Sequence, residues 1–468
     1  MTELWQLGAL ELAGRIRDRE VSSREVLAAH LARVEACNDS LNAIVRLLTD
    51  EALAAAEQAD AAVVAGAELG PLHGVPCTVK ENIDVAGTPT TNGVSALAEA
   101  IAAIDAPTVE RMRQAGAIPF ARTNLPDFGL RVHTDSQLHG PTRNPWNPDA
   151  TAGGSSGGEG SAIASGMSPI GLGNDIGGSL RNPAHCCGIA SLKPTVGVIP
   201  MATVVPPEDM GLSSQLMIVE GPMARRVADV RAGLKILAGQ HWRDPRSVTA
   251  ELADAAPGER IRIAVLTDPP GGSTDAGIAG AIRAVADRLA DAGHDVVEAT
   301  PPGYEQTVDL WRRLMIDDVR AERELLGLVL GVDALTLLDN FDAASAATTV
   351  PEVQHLHVER YALMRAWSEF HQQYPVLISP TWSQRAFAPG ADLDPETGVE
   401  MMTNTIRAVI PSNLLGTPAA VTPAGVVDGL PVGAQVMGDR FNDLRVLTIA
   451  AEIEAQVGAI TPIDPITS

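Results

Sequence analysis

The sequence predicts an α/β fold, and three observations carry that reading. Residues 107–115 read as a short helix with Pro107 in its first turn, and 117–121 as the strand that follows it. Further on, Ile261, Ile263 and Val265 alternate as a strand ahead of the helical stripe Ile278, Ile282, Val285 and Leu289. A second strand near Val296 completes a βαβ unit. The third observation is compositional: 45% hydrophobic residues, 20% charged residues and a mean hydropathy of +0.08 belong to a chain that buries a sizeable core, not to a disordered one.

The remaining elements follow in chain order. Ser22-x-x-Glu25 is a capping box ahead of a helix with Leu27, Leu31 and Val34 on one face, and an alanine-rich helix follows over 50–65. A short apolar strand over 75–79 runs into Lys80, then into a polar loop through Asn82, Asp84 and Thr88 to Gly93. Glycine and serine are densest over 151–188. A small-residue helix at 158–165 and a strand at 169–173 interrupt that stretch, as they would not in a linker. Residues 320–370 are helical by composition and hold Phe341, Tyr361, Trp367 and Phe370, which read first as helices covering a sheet and second as a pocket wall. A buried strand is expected over 374–380, and 413–438 alternates short apolar strands with Gly and Pro turns. No internal repeat is present.

Charge and cysteine usage narrow the partners. With 58 acidic and 34 basic residues the net charge is −24, a field that repels phosphate backbones and anionic bilayers. Nucleic acid is therefore not expected as a direct partner. Lysine occurs only at Lys80, Lys193 and Lys235, the other 31 basic residues being arginine. Cys37, Cys77, Cys186 and Cys187 form no CxxC pair and read as reduced thiols of a cytoplasmic protein, with the adjacent Cys186 and Cys187 filling core space. The first residues lack a basic region before an apolar stretch, and no run of about 18 apolar residues occurs, so neither export nor membrane insertion is expected.

Three readings of the glycine-rich segment 151–160 fail in turn. A flexible linker would sit in low-complexity text, and a phosphate loop needs a lysine that is absent. Gly153-Gly154-Ser155-Ser156-Gly157 matches the G-x-S-x-G nucleophile elbow, but Pro145 and Pro148 stand where that elbow needs a central strand. A second serine is better placed. An apolar strand runs into Asp175, and Gly177 and Gly178 free the backbone to turn and aim successive N–H groups at one point, with Ser179 at the tip. A serine hydroxyl needs a base. Spacing alone leaves His133, His139 and His185 open, and His355-x-His357 is spaced wrongly for a metal pair on one helix face. Lys80 is the sharper candidate, because a lysine desolvated after a buried strand loses its charge.

Taken together, Thr78-Val-Lys80-Glu-Asn-Ile-Asp, Gly-Gly-Ser155-Ser-Gly-Gly-Glu and Asp175-Ile-Gly-Gly-Ser179-Leu-Arg-Asn-Pro-Ala resemble the amidase signature family of serine hydrolases. The two serines are 24 residues apart and the lysine lies 75 before the first, as in that family. Supporting resemblance continues in Ser191-Leu-Lys193-Pro-Thr-Val-Gly197, in 374–381, and in 413–418 through 429–438, so that it covers most of the chain; 240–370 is the least informative stretch.

The resemblance implies one large α/β/α domain over 1–468 around a central mixed sheet, where length alone suggested about three domains. Within it, 1–66 would be an N-terminal helical part, 67–240 the catalytic motifs, 241–370 a variable substrate-shaping region and 371–468 the part completing the sheet. It further implies a triad: Ser179 as nucleophile, Ser155 as bridging serine beside a cis peptide, and Lys80 as base. The N–H groups of Ile176, Gly177, Gly178 and Ser179 would hold the oxyanion. Gly154, Ser156, Asp175, Arg181 and Leu130 are expected either to support the site or to touch substrate, with bracing of the glycine turn favoured for Asp175 and Arg181, and the site is expected at sheet edges. The loop 128–137 is expected as a pocket wall, with Leu130, Trp367 and Trp382 as lining. Asn174, Ile176 and His185-Cys186-Cys187 depart from the commoner family wording, and are expected to bear on the pocket wall and packing but not on the triad.

The activity so implied is hydrolysis of the C–N bond of small carboxamides, extending to esters, anilides and carbamates, without metal or organic cofactor; a homodimer is the expected assembly. Two alternatives accompany it: the glutamine-hydrolysing subunit of a tRNA-dependent amidotransferase, and a catalytically inactive binding protein on the same fold.

Overall fold

Thirteen strands are formed in the computed structural model, which describes residues 3–256 and 258–466: β1 (Ile44–Leu47), β2 (Pro76–Lys80), β3 (Ile118–Thr123), β4 (Asp135–Ser136), β5 (Gly140–Pro141), β6 (Ile170–Asp175), β7 (Ala190–Lys193), β8 (Val219–Ala224), β9 (Arg262–Val265), β10 (Asp295–Glu298), β11 (Val376–Pro380), β12 (Ala419–Val427) and β13 (Leu430–Gly438). Eleven of them make one mixed sheet in the order β1-β3-β2-β6-β8-β7-β12-β13-β11-β9-β10. β2 runs parallel to both β3 and β6, and β9 parallel to both β10 and β11. The pairs from β6 through β8, β7, β12 and β13 to β11 are antiparallel.

Strand alternation divides the core into two sides. Cys77, Val79, Ile170, Leu172, Leu192, Ile263, Ile378 and Val436 point into a cluster closed by Leu12 and Ile16, Val109 and Met112, Val230 and Leu234, Ile282 and Leu289, and Leu447 and Ile453. Those residues come from helices Ala9–Arg17, Pro107–Gln114, Val227–Leu237, Ala276–Asp291 and Asp443–Val457. The other face carries Ala264, Leu377, Ala419, Val421 and Met437, covered by helices that include Arg181–Cys187, Tyr304–Val329 and Val350–Gln373. The result is three layers, with a mixed sheet between helices.

Most expected elements stand within two residues of their expected ends, including the capping box, in which Ser22 and Glu25 bond reciprocally. One stretch differs. Ile410–Leu415 is a short helix started by Pro411 in its first turn, so 413–415 are helical, and two nine-residue strands follow instead of several short ones. No described helix is long and apolar enough to cross a membrane.

The site lies over the interior of the sheet, not at the expected edge. β2 and β6 are neighbours, with β3 and β1 on one side of the pair and the other seven strands on the far side. Both end at the site, β2 at Lys80 and β6 at Asp175. Parallel strands ending together open a crevice that loops can fill, and interior strands hold it rigid.

Candidate active site

Lys80 is delivered by the pleat of β2. Cys77 and Val79 enter the large apolar cluster, so Thr78 and Lys80 face the opposite side, where helix Gly157–Ala164 begins. The Lys80 side chain is fully buried; its ammonium donates to Ser155 Oγ at 2.7 Å and to Asn174 Oδ1 at 2.6 Å. The Asn174 amide nitrogen donates to Asn82 Oδ1 at 2.9 Å, which turns its oxygen toward the lysine. Asn174 therefore touches the lysine directly, contrary to the expectation that it bears on the pocket wall and packing but not on the triad. Burial pulls the Lys80 pKa down to about 7, against the opposing fields of Asp175, Glu159 and Glu220. Glu159 is itself pushed up to about 7 by burial, although the hydroxyls of Thr78 and Thr123 donate to its carboxylate.

The serine loop is held by close backbone approaches. A Cβ on Gly154 would lie 2.6 Å from the Val132 carbonyl carbon and 2.7 Å from Arg131 O, so the loop 128–133 sits directly on it. The Gly154–Ser155 peptide is cis. Helix Gly157–Ala164 starts on two bare positions of β6: a Cβ on Gly171 would come within 2.0 Å of Glu159 Oε2, and one on Gly173 within 2.7 Å of Ser156 Oγ. Small residues at these positions are what let the helix lie close enough to present Ser155 to Lys80.

Ser179 stands on a turn braced from below. The Asp175 carboxylate accepts the Gly178 N–H at 2.7 Å and the Leu180 N–H at 3.2 Å, and pairs with Arg181 through two bonds of 2.9 Å. Arg181 is fully buried and also donates to Val409 O, Ser412 Oγ, Gln435 Oε1 and Asn413 Oδ1. Its charge holds the Asp175 carboxyl well below the usual carboxylate range, despite burial. Because the Gly178 N–H is turned to Asp175, it is not free to meet an oxyanion. That corrects the expectation of four donors; among the described residues the N–H groups of Ile176, Gly177 and Ser179 make no hydrogen bond.

The two serines are joined through backbone: the Ser156 N–H donates to Ser179 O at 3.2 Å, and the Asn182 amide donates to Gly154 O at 3.1 Å and Gly177 O at 3.3 Å. Ser155 Oγ and Ser179 Oγ are not hydrogen-bonded to each other; catalytic hydrogen bonds are often long without substrate and tighten in the complex.

A cavity of about 550 Å³ opens beside Ser179, Gly177 and Ile176. Its walls include Phe128, Leu130 and Val132 from the expected loop, and Val308, Trp311, Met315, Leu337 and Phe341 from the helices of the variable region. Leu130 is in place, whereas Trp367 and Trp382 are not lining. Both are buried in the core, donating their indole N–H to Pro302 O and Asn182 Oδ1.

The histidines left open by spacing are occupied elsewhere. His185 accepts the Gly433 N–H, with burial pulling its pKa down to about 3; His133 pairs with Thr151 Oγ1, and His139 with Glu81. Four residues absent from the candidate set matter here: Asn82, Asn174, Asn182 and Trp311. Asn174 drew notice in the sequence as a departure in wording, and Asn82 and Asn182 only as members of the loop after Lys80 and of the Ser179 motif, with no role attached.

A family model described as amidase matches residues 25–447. The chain belongs to the amidase signature family. It is 39% identical over 459 residues to an indoleacetamide hydrolase of Bradyrhizobium diazoefficiens, covering 98% of this chain and 88% of that protein. It is 33% identical over 498 residues to a glutamyl-tRNA(Gln) amidotransferase subunit of Salinispora arenicola, covering 99% of each. Among solved structures, a bacterial aryl acylamidase of the amidase signature family superposes with a TM-score of 0.82 at 27% identity, covering 97% of both chains.

Within this amidase the other expected features are structural. Cys186 and Cys187 are buried, and burial pushes the Cys187 thiol above the ordinary range. Lys193 is buried with its ammonium on Pro194 O, and Lys235 is exposed on helix Val227–Leu237.

Proposed function

We propose that the protein hydrolyses small carboxamides carrying a bulky apolar group, through an acyl-enzyme on Ser179. The observation that carries the reading is the buried Lys80–Ser155 hydrogen bond of 2.7 Å, made by a lysine whose burial leaves a large neutral fraction near pH 7. Neutral Lys80 takes the Ser155 proton as Ser155 takes that of Ser179, and Ser179 Oγ forms a bond to the carbonyl carbon. The N–H groups of Ile176, Gly177 and Ser179 hold the resulting oxyanion. Ser155 then protonates the departing nitrogen, the C–N bond breaks, and Lys80 returns its proton to Ser155. Water, activated by the same relay, attacks the ester and releases the carboxylic acid and Ser179.

The apolar walls around Ser179 favour an aryl or extended alkyl group over a zwitterion. That tells against free glutamine as substrate, although the resemblance to amidotransferase subunits spans the chain. Of the arginines bordering the cavity, Arg131 is engaged by Asp392 and Asp333, and Arg312 by Asp309, so neither offers an open site for the carboxylate of an amino acid. Esters and carbamates present the same carbonyl to Ser179 and belong to the proposed range.

A panel of aryl amides, aliphatic amides, esters and aryl carbamates, with glutamine included, tests the range. A fluorophosphonate probe tests the nucleophile. Labelling of Ser179 and loss of hydrolysis in Ser179→Ala are expected. An unlabelled Ser179 in active protein, or full activity in Ser179→Ala, overturns the mechanism. Inertness of a labelled enzyme toward every member except glutamine would instead favour the amidotransferase reading.

A further inference from the structure

We infer that Trp311 is a positioning residue for the oxyanion donors, so that a wall of the substrate cavity also sets the geometry of catalysis. The inference rests on the proposed Ser179 mechanism and adds a residue to it from the variable region. Each carbonyl of the turn ahead of Ser179 has its own partner. Asp175 O accepts from the Asn413 amide at 3.5 Å, Ile176 O from the Trp311 indole N–H at 2.9 Å, Gly177 O from the Asn182 amide at 3.3 Å, and Gly178 O from the Asn182 backbone N–H at 2.6 Å.

In a trans peptide the C=O of one residue and the N–H of the next lie in one plane and point opposite ways. Fixing the Ile176 carbonyl on Trp311 therefore aims the Gly177 N–H, one of the three unengaged donors, to the opposite side. The indole also packs closely on the turn: a Cβ on Gly177 would come within 2.8 Å of its Cζ2. Both Trp311 and Gly177 border the cavity. Three of the four bonds come from two buried asparagines, Asn413 and Asn182, whereas the fourth comes from Trp311 on helix Tyr304–Val329, a residue that itself lines the cavity.

The test compares the parent with Trp311→Phe, which keeps an aromatic wall and loses the N–H. Positioning predicts that kcat on an aryl amide falls about 10-fold or more while KM changes less than about threefold, since misaimed oxyanion donors act on the transition state. The rate of Ser179 modification by a small fluorophosphonate, whose phosphoryl oxygen uses the same donors, should fall in parallel.

A raised KM with parental kcat and parental labelling rate would overturn the inference, leaving the indole as wall only. Thermal midpoints check folding. Should Trp311→Phe be unfolded, benzothienylalanine at position 311 replaces the N–H by sulfur within the same shape. Slow chemistry there supports positioning, and parental chemistry refutes it. Failure of the underlying mechanism would be visible separately, as hydrolysis by Ser179→Ala.

Discussion

Asn174→Asp exchanges the amide oxygen that faces Lys80 for a carboxylate of the same size. The two atoms are 2.6 Å apart and the lysine is fully buried. At an effective dielectric of about 20, opposite unit charges at that separation attract by about 6 kcal/mol. Roughly half of that, after the cost of burying a second charge, still raises the Lys80 pKa by about 2 units at 1.36 kcal/mol per unit. In the parent, with Lys80 held near 7, kcat/KM should rise with pH through about 7 as the amine becomes neutral. In the variant that limb moves to about 9, so the neutral fraction at pH 7 drops from about a half to about 1%, and the rate falls roughly 50-fold. The decisive part is recovery. Steady-state rates on an aryl amide or ester from pH 6 to 10 should converge toward the parent at the alkaline end. A variant with a parental acid limb, or one depressed equally at every pH, would refute Lys80 as the proton acceptor.

Glu159→Gln should move the acid limb the other way, to lower pH. The Glu159 carboxylate raises the lysine pKa; in the variant the amide oxygen still accepts from one of the Thr78 and Thr123 hydroxyls while its NH2 donates to the oxygen of the other, and a pH–rate profile checks it. Arg181→Ala strips the partner from a fully buried Asp175 carboxylate and should cost about 3–5 kcal/mol in urea unfolding at pH 7. Because the Asp175 pKa is depressed in the folded state, the stability owed to the pair is present above the unfolded pKa of about 3.9 and is lost as pH falls below it, so parent and variant should converge in acid.

The legible part of the site is the part that needs a particular residue type. Lys80 stood out because an amine that loses its charge cannot be replaced by guanidinium. Ser155 and Ser179 stood out because glycines crowd around hydroxyls that must be reached by other backbone. What was not legible was which partner each polar group finds. The Gly178 N–H, free on paper, turns to Asp175. Asn174, notable in the sequence only as a departure from the family wording, becomes the second acceptor of the lysine. Trp382 has the right character for a pocket wall and instead holds Asn182 in the core.

By itself the sequence determined the α/β class, the run of Lys80 off a buried strand and the glycine turn at Ser179. These follow from local period, backbone freedom and residue chemistry, all of which act over a few neighbours along the chain. The tertiary structure alone decided the interior position of the site, the number of free oxyanion donors and which side chains of the variable region line the cavity. Those depend on contacts such as Trp311 with Ile176, 135 residues apart, and Arg181 with Gln435, 254 apart. No local pattern encodes such pairs, because either partner is an ordinary residue until packing of the layers brings the two into hydrogen-bond range.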